Sequence, residues 1–274
     1  MKFGKKIDLI GSFTIINPTF TLIIIVLISM VTPIHSQSFK SSQMKYQRVR
    51  EAYSESFNDV NILFQEKGVD IENMQVFLRA IKFDKKLELF AKNDDDSVFK
   101  LIKTYDFCVF SGDLGPKREQ GDMQIPEGFY HIDRFNPTSY FFLSMGINYP
   151  NISDRKLTTA NDPGGDIFIH GDCVSIGCIP ITDKWIKELY VICIEAKNNG
   201  QSKIPVHFFP FRMDNYSANR MRYSSDLKRL AFWDSLVDGY TYFEKKKQLP
   251  RVKIDAKGFY FVENTEPGIA QRNE

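Results

Sequence analysis

A histidine and a cysteine eight positions apart define the chemistry this chain could perform. Residues 166–183 read DIFIHGDCVSIGCIPITD. Ile167 to Ile169 is a short apolar run rich in β-formers, which predicts a buried strand, and His170 and Gly171 follow it directly. Val174-Ser175-Ile176-Gly177-Cys178 comes next, and a helical pattern begins near Asp183. An imidazole at a strand end and a thiol ahead of a helix are the groups that a cysteine nucleophile and its base require, once they approach to about 3 Å. The peptide N–H groups of Gly177 and Cys178 are then candidates to hold a developing oxyanion, with Gly171 and Ser175 as supporting residues. A plainer reading stands beside this one, because free cysteine is among the most buried residue types and one nearby histidine can be a packed core residue. A zinc site from His170, Asp172, Cys173 and Cys178 has the right residue types. Its spacing fits none of the recurrent zinc patterns, so no metal is expected.

Several elements must bring these two groups together. Val49, Ala52, Phe57, Val60, Leu63 and Phe64 recur at helical spacing within residues 37–66, and a second short helix fits residues 70–80. Residues 86–91 and 98–110 alternate charged and apolar types on either side of an Asp94-Asp95-Asp96 turn, which predicts a hairpin. Residues 111–130 hold four glycines and two prolines, a long loop that hands over to a strand at 129–132. Residues 139–146 predict another strand. Asn161 to Gly165 predicts a turn before the 167–169 strand. Thr182 or Asp183 can cap a helix reaching about Lys197, with Trp185, Ile186, Leu189, Tyr190 and Cys193 inward and Asn198-Asn199-Gly200 as its stop. If that helix points its N-terminus at the sulfur, it would stabilise the thiolate. Residues 203–211 predict the last strand of the sheet, residues 224–246 a long helix, and residues 259–262 a further strand, ahead of a polar end.

His170-Gly171 followed by Ser175-Ile176-Gly177-Cys178 resembles the active-site signature of the YkuD-type L,D-transpeptidases. Cys173 ahead of it and Thr182-Asp183 after it make the likeness closest to the YafK-like branch of that family. Gly115-Pro116-Lys117, Gly121-Asp122, Pro126 to Gly128, the Tyr149-Pro150-Asn151 run and Asp154-Arg155 extend the resemblance over about residues 75–213. It implies a β-rich α+β fold, an L,D-transpeptidase-like β-sandwich with N- and C-terminal helical extensions. The divisions expected are a leader at 1–36, a helical segment at 37–84, the catalytic domain at 85–213 and an extension at 214–274. Peptidoglycan stem peptides are the implied substrate, with Cys178 as nucleophile, His170 as base and no cofactor. The branch adds release of a wall-attached protein as an outcome. Arg155, with its planar two-point donor geometry, is a candidate for a substrate carboxylate, and equally a surface charge paired with Asp154. Tyr149 and Lys117 are further candidate contacts. Most members carry a histidine at the position of Ile176 and an arginine at that of Pro180, so a substrate-orienting contact is missing here. A non-catalytic wall-binding module that keeps the fold is the alternative.

Composition sets the remaining bounds. Lys2, Lys5 and Lys6 precede a nearly unbroken apolar run from Phe20 to Val31, and Ser36 is a suitable small residue before cleavage, which predicts an export signal. Stretched to residues 12–31, the same run could act as an uncleaved anchor, the one membrane contact expected. Without residues 1–36, 33 basic residues balance 33 acidic ones, since three of the 36 Lys and Arg and one of the 34 Asp and Glu lie in the leader. A formally neutral exported part offers no basic stripe for nucleic acid. Four cysteines are too few for a disulfide scaffold. Cys108 and Cys193 sit in apolar patterns and read as core thiols. Cys173 reads as a buried or supporting thiol, with a bond to Cys178 as a minority alternative that would block the nucleophile. His131 and His207 lie among apolar neighbours and read as sheet residues.

Overall fold

The computed structural model describes Met1 and residues 38–216, 218, 222 and 224–263. The expected leader, Met1 apart, and the polar end beyond 263 lie outside the described residues. In chain order the elements are α1 (Phe39–Gln43), α2 (Gln47–Glu66), β1 (Met74–Ile81), β2 (Lys86–Asn93), β3 (Lys100–Asp106), β4 (Gly128–Asn136), β5 (Ser144–Ile147), α3 (Ile152–Leu157), β6 (Phe168–His170), β7 (Ile179–Pro180), α4 (Thr182–Asn198) and β8 (Ile204–Phe209). A short 3-10 turn at Met213–Asn215 leads to α5 (Leu227–Asp234), α6 (Val237–Lys246), β9 (Val252–Ile254) and β10 (Tyr260–Val262).

Eight strands form one sheet in the order β3-β2-β1-β8-β4-β5-β6-β7, and β9 and β10 pair separately. Only β1 with β8 and β6 with β7 are parallel. Alternation assigns the two faces. Val76, Leu78 and Ala80 of β1, Leu87 and Leu89 of β2, and Val206 and Phe208 of β8 join the cluster that includes Leu189, Ile192 and Cys193 of α4 and Val60 and Phe64 of α2. On the opposite face Ile81 and Phe209 pack with Leu230, Phe232, Trp233, Leu236 and Tyr240 of α5, α6 and the turn between them, while Phe77 and Phe90 pack with Phe243. The C-terminal extension is therefore the second helical layer on the sheet.

Double coverage explains the clearest mismatch with the sequence. The pattern predicts a helix over residues 70–80, yet residues 74–81 form β1, a central strand buried at every position but Gln75. A strand covered on both faces loses polar alternation and resembles a buried helix by pattern alone. The sheet thus draws β1 from the stretch ahead of residue 85. Of the strand expected at 139–146, only the end enters β5, because Phe142 has a positive φ of 66° and Arg48 binds the carbonyls of Ser139 and Phe142 at 2.5 and 2.8 Å. The helix expected over 224–246 is two helices. At their junction the Ser235 hydroxyl donates to the Phe232 carbonyl and the Ser235 and Leu236 N–H groups close i to i−3 bonds.

The loop at 111–127 is tied to this core by a buried ionic cluster. Lys82 and Glu127 are both fully buried, 3.0 Å apart. The Lys82 ammonium also donates to the carbonyls of Gly115 (2.6 Å) and Ile125 (2.8 Å), while Glu127 accepts from the Gly115 N–H (2.8 Å) and from the Trp233 indole (2.7 Å). Burial holds the lysine below its ordinary range against the attraction of Glu127.

Candidate active site

Parallel pairing of β6 with β7 sets Ile169 beside Ile179 and His170 beside Pro180. One step back along the same register, Cys178 comes beside Phe168. Paired residues of neighbouring strands share a face, so His170 and Cys178 are diagonal neighbours on one face, with backbone positions about 7–8 Å apart, within reach of an imidazole and a thiol. The loop between them is held from three sides. The Asp183 carboxylate accepts the Asp172 N–H at 2.7 Å, the Gly171 N–H reaches the Leu143 carbonyl at 3.2 Å, and a disulfide joins Cys173 to Cys108. Gly171 cannot carry a side chain: a Cβ there would lie 2.4 Å from an Asp183 oxygen and 2.8 Å from the Phe141 carbonyl.

His170 is buried, and its Nδ1 lies 2.6 Å from the Gly171 carbonyl. A carbonyl only accepts, so that nitrogen carries the proton and Nε2 keeps its lone pair. The Phe141 ring covers the imidazole at 4.6 Å between centroids. Burial lowers the histidine below its ordinary range, opposed by the Gly171 contact and the charge of Asp172, so the ring is neutral at pH 7. Cys178 is half-buried and free. Burial raises its thiol, while a backbone N–H from Phe168 and the charge of Lys117 pull the other way. The resting pair is therefore neutral imidazole and thiol.

The oxyanion donors differ from expectation. The N–H groups of Gly177 and Cys178 both reach the Ser175 hydroxyl oxygen, at 3.2 and 3.1 Å, and Ser175 donates to the Cys178 carbonyl at 2.9 Å. Ser175 thus closes the turn on itself and stands 3.0 Å from the Ser111 hydroxyl. Gly177 is required here: its φ is 122°, and a Cβ would meet the Gln124 carbonyl at 3.0 Å. The helix expectation also changes. α4 starts after Ile181 with no side-chain cap, and Asp183 in its first turn holds Asp172. The N-terminus of α4 thereby serves the 171–172 loop, and the sulfur rests on the backbone of Phe168 and Asp166.

Two cysteine assignments are overturned. Cys108, expected in the core, is half-buried beyond the end of β3, and Cys173 is exposed; they bond to each other with Cα atoms 5.7 Å apart. The alternative Cys173 to Cys178 bond is excluded with them, and Cys173 offers no thiolate to a metal. Cys193 is buried in α4 as expected, and burial pushes its thiol far up.

The three candidate substrate contacts do not converge on the thiol. Arg155 sits on the exposed side of α3, and Asp154 pairs instead with Arg118 at 2.8 Å and with the Tyr130 hydroxyl. Tyr149 is buried, its hydroxyl donating to the carbonyls of Pro163 and Lys117 at 2.9 and 3.3 Å. It joins the 161–165 turn to the long loop. Lys117 is almost fully buried and bound to Asp122 and the Glu119 carbonyl, 2.6 and 2.7 Å away, so it reaches Cys178 through its field alone. Sequence reasoning missed Phe141, Gln124 and Ser111. Ser111 and Gln124 stood in the long loop with no role assigned, and Phe141 within the strand expected at 139–146. Arg118 was missed too, although the Asn151-to-Asp154 spacing of a capping box shows that the Asp154 carboxylate is engaged at the start of its own helix.

A family model for the L,D-transpeptidase catalytic domain, YkuD, matches residues 79–206. Over 189 residues the chain is 36% identical to the Escherichia coli (strain K12) protein named "Putative L,D-transpeptidase YafK", covering 68% of this chain and 73% of that one, and the Escherichia coli O157:H7 protein of the same name matches equally. Among solved structures, the helical cell shape determining protein Pgp2 from Campylobacter jejuni aligns with a TM-score of 0.40 at 17% identity, over 67% of this chain and 73% of that one. Bd1075 of Bdellovibrio bacteriovorus aligns with a TM-score of 0.35 at 22% identity, over 62% and 63%.

Proposed function

Because the chain belongs to the L,D-transpeptidase family, we propose that it is an exported cysteine enzyme that modifies peptidoglycan by acyl transfer through Cys178. The observation that carries this reading is a free cysteine diagonal to a histidine whose Nδ1 proton is fixed on the Gly171 carbonyl. His170 Nε2 takes the thiol proton as the sulfur attacks the carbonyl of the diamino-acid residue in a stem peptide. With the thiol raised and the imidazole lowered by burial, the proton moves during attack and no thiolate–imidazolium pair exists at rest. The oxyanion then competes with the neutral Ser175 oxygen for the Gly177 and Cys178 N–H groups, and an anion is the stronger acceptor. Collapse forms a thioester and expels the amine, which leaves with the proton from His170.

An amine acceptor would then give cross-linking, and water would give hydrolysis, trimming a terminal residue or freeing a wall-attached protein. Ile176 and Pro180 bring no charge to orient a second stem, which favours water. Export rests on the leader expected at 1–36; among the described residues no helix is long and apolar enough to cross a membrane. Defined muropeptides incubated with the protein and followed by mass spectrometry test the reading. Turnover should yield more hydrolysed stem than dimer and should vanish in Cys178→Ala. Undiminished turnover in that variant would reject Cys178 as the nucleophile, and none in the native protein would leave the wall-binding alternative standing.

A further inference from the structure

A cavity of about 590 Å³ opens between the long loop and the first turn of α5. Leu114, Phe232 and Phe259 supply apolar wall, and Arg118 and Arg229 supply charge. The Arg118 guanidinium lies over the Phe232 ring at 4.7 Å and spends Nη1 on Asp154 and the Lys117 carbonyl. Its remaining donors have no hydrogen-bond partner among the described residues. Arg229 is half-buried, and no carboxylate among the described residues pairs with it. Its Nε lies 3.0 Å from where a Gly115 Cβ would stand, so the guanidinium packs on bare backbone. The one acid of the lining, Asp226, has its carboxylate turned onto the N–H groups of Lys228 and Arg229 as the cap of α5. Arg229 also repels the buried Lys82. Two guanidinium groups thus line a partly apolar cavity; Arg118 is paired with Asp154 and Arg229 with no carboxylate among the described residues, so an incoming carboxylate would find its counter-charge in Arg229 first.

One residue, Gln124, connects the cavity with the turn that carries Cys178. It lines the cavity, and its carbonyl is the group packed against Gly177, next in sequence to Cys178.

We propose that this cavity binds a carboxylate of the stem peptide whose acyl group Cys178 takes, with Arg229 as its principal partner and Arg118 as the second. The inference rests on the function proposed above and assigns part of substrate selection to the C-terminal layer. Calorimetric titration of the inactive Cys178→Ala protein separates binding from catalysis. The probes are a synthetic stem tetrapeptide and the same peptide with every carboxylate converted to carboxamide. The free acid should bind about 10–100-fold more tightly, as a charge-assisted contact provides. Adding Arg229→Ala should remove that preference and Arg229→Lys should restore part of it, with the melting temperature unchanged. In the Cys178-containing protein, Arg229→Ala should leave the iodoacetamide rate at Cys178 unaltered while raising KM. Equal affinity for the two peptides, an unchanged preference in Arg229→Ala, or no binding at all would overturn the proposal. A native protein that turns over stems while Arg229→Ala keeps its preference refutes the cavity alone. Binding that depends on Arg229 without turnover refutes the catalytic reading alone.

Discussion

Lys82→Met is the most informative single change to the scaffold. It removes a fully buried ammonium that contacts Glu127 and two carbonyls, those of Gly115 and Ile125. Glu127 keeps the Gly115 N–H and the Trp233 indole but loses its counter-charge, and both carbonyls lose a donor. Breaking a buried pair from one side costs about 3–5 kcal/mol. At about 2–4 °C per kcal/mol for a chain of this size, the melting temperature should fall by roughly 6–20 °C. Lys86→Met, which removes an exposed partner of Asp106, is the control and should cost no more than about 1 kcal/mol. Urea unfolding followed through tryptophan fluorescence reads both variants, since Trp233 reports directly on the cluster. Burial outweighs the attraction of Glu127 at Lys82, so the double variant Lys82→Met/Glu127→Gln should lose less than the sum of the two single changes. The variant should also lose activity in step with stability, because the loop it releases sets Gln124 against Gly177. A loss below about 1 kcal/mol for Lys82→Met would refute the view that this cluster anchors the loop.

Three further outcomes follow from the geometry. His170→Gln should fold and lose about a hundredfold or more in turnover, whereas His131→Gln should lose little; the reverse order would reassign the base. His207 is held by burial at a pKa of about 3 against about 6.5 when unfolded, so the unfolded chain gains a proton that the native one refuses. Stability from this group is complete above about pH 6.5 and falls by about 1.4 kcal/mol per unit as pH drops toward 3; His207→Phe should flatten that limb in urea midpoints between pH 7 and 5, and equal slopes would refute it. Alkylation of the unreduced native protein should modify Cys178 alone, faster as pH rises, and reduction should expose Cys108 and Cys173. A Cys173 to Cys178 peptide in the unreduced digest would contradict the pairing.

The candidate pair, His170 and Cys178, could be singled out because its signature is local: a strand end, two glycines and a cysteine within a few residues. The partners that fix it could not, since Asp183, Cys108 and the Phe141–Leu143 stretch reach the 170–173 loop from three separate segments. The same physics hid β1. Patterning reports how many faces of an element meet solvent, and α5 and α6, far along the chain, remove that contrast from residues 74–81. Helix α4 was recognised because its apolar run is long and bounded by a Gly200 stop. Its cap was not, because Asp183 found a better use for its carboxylate than its own helix. The candidate contacts Arg155, Tyr149 and Lys117 were chosen by residue type, and type says nothing about which partners a side chain already has.

The place of β8 in the sheet governs the order in which the molecule can assemble. In the strand ladder β3-β2-β1 and β4-β5-β6-β7 are joined by β8, which runs parallel to β1 on one side and antiparallel to β4 on the other. Until residue 209 has been synthesised, the chain holds two half-sheets, each with an unpaired edge at what becomes the centre. Such edges recruit foreign strands, so the nascent protein depends on being kept apart until its last sheet strand arrives. A chain cut before Ile204 therefore loses the seam between its halves, and should aggregate even though His170, Cys178 and every residue between them are still present.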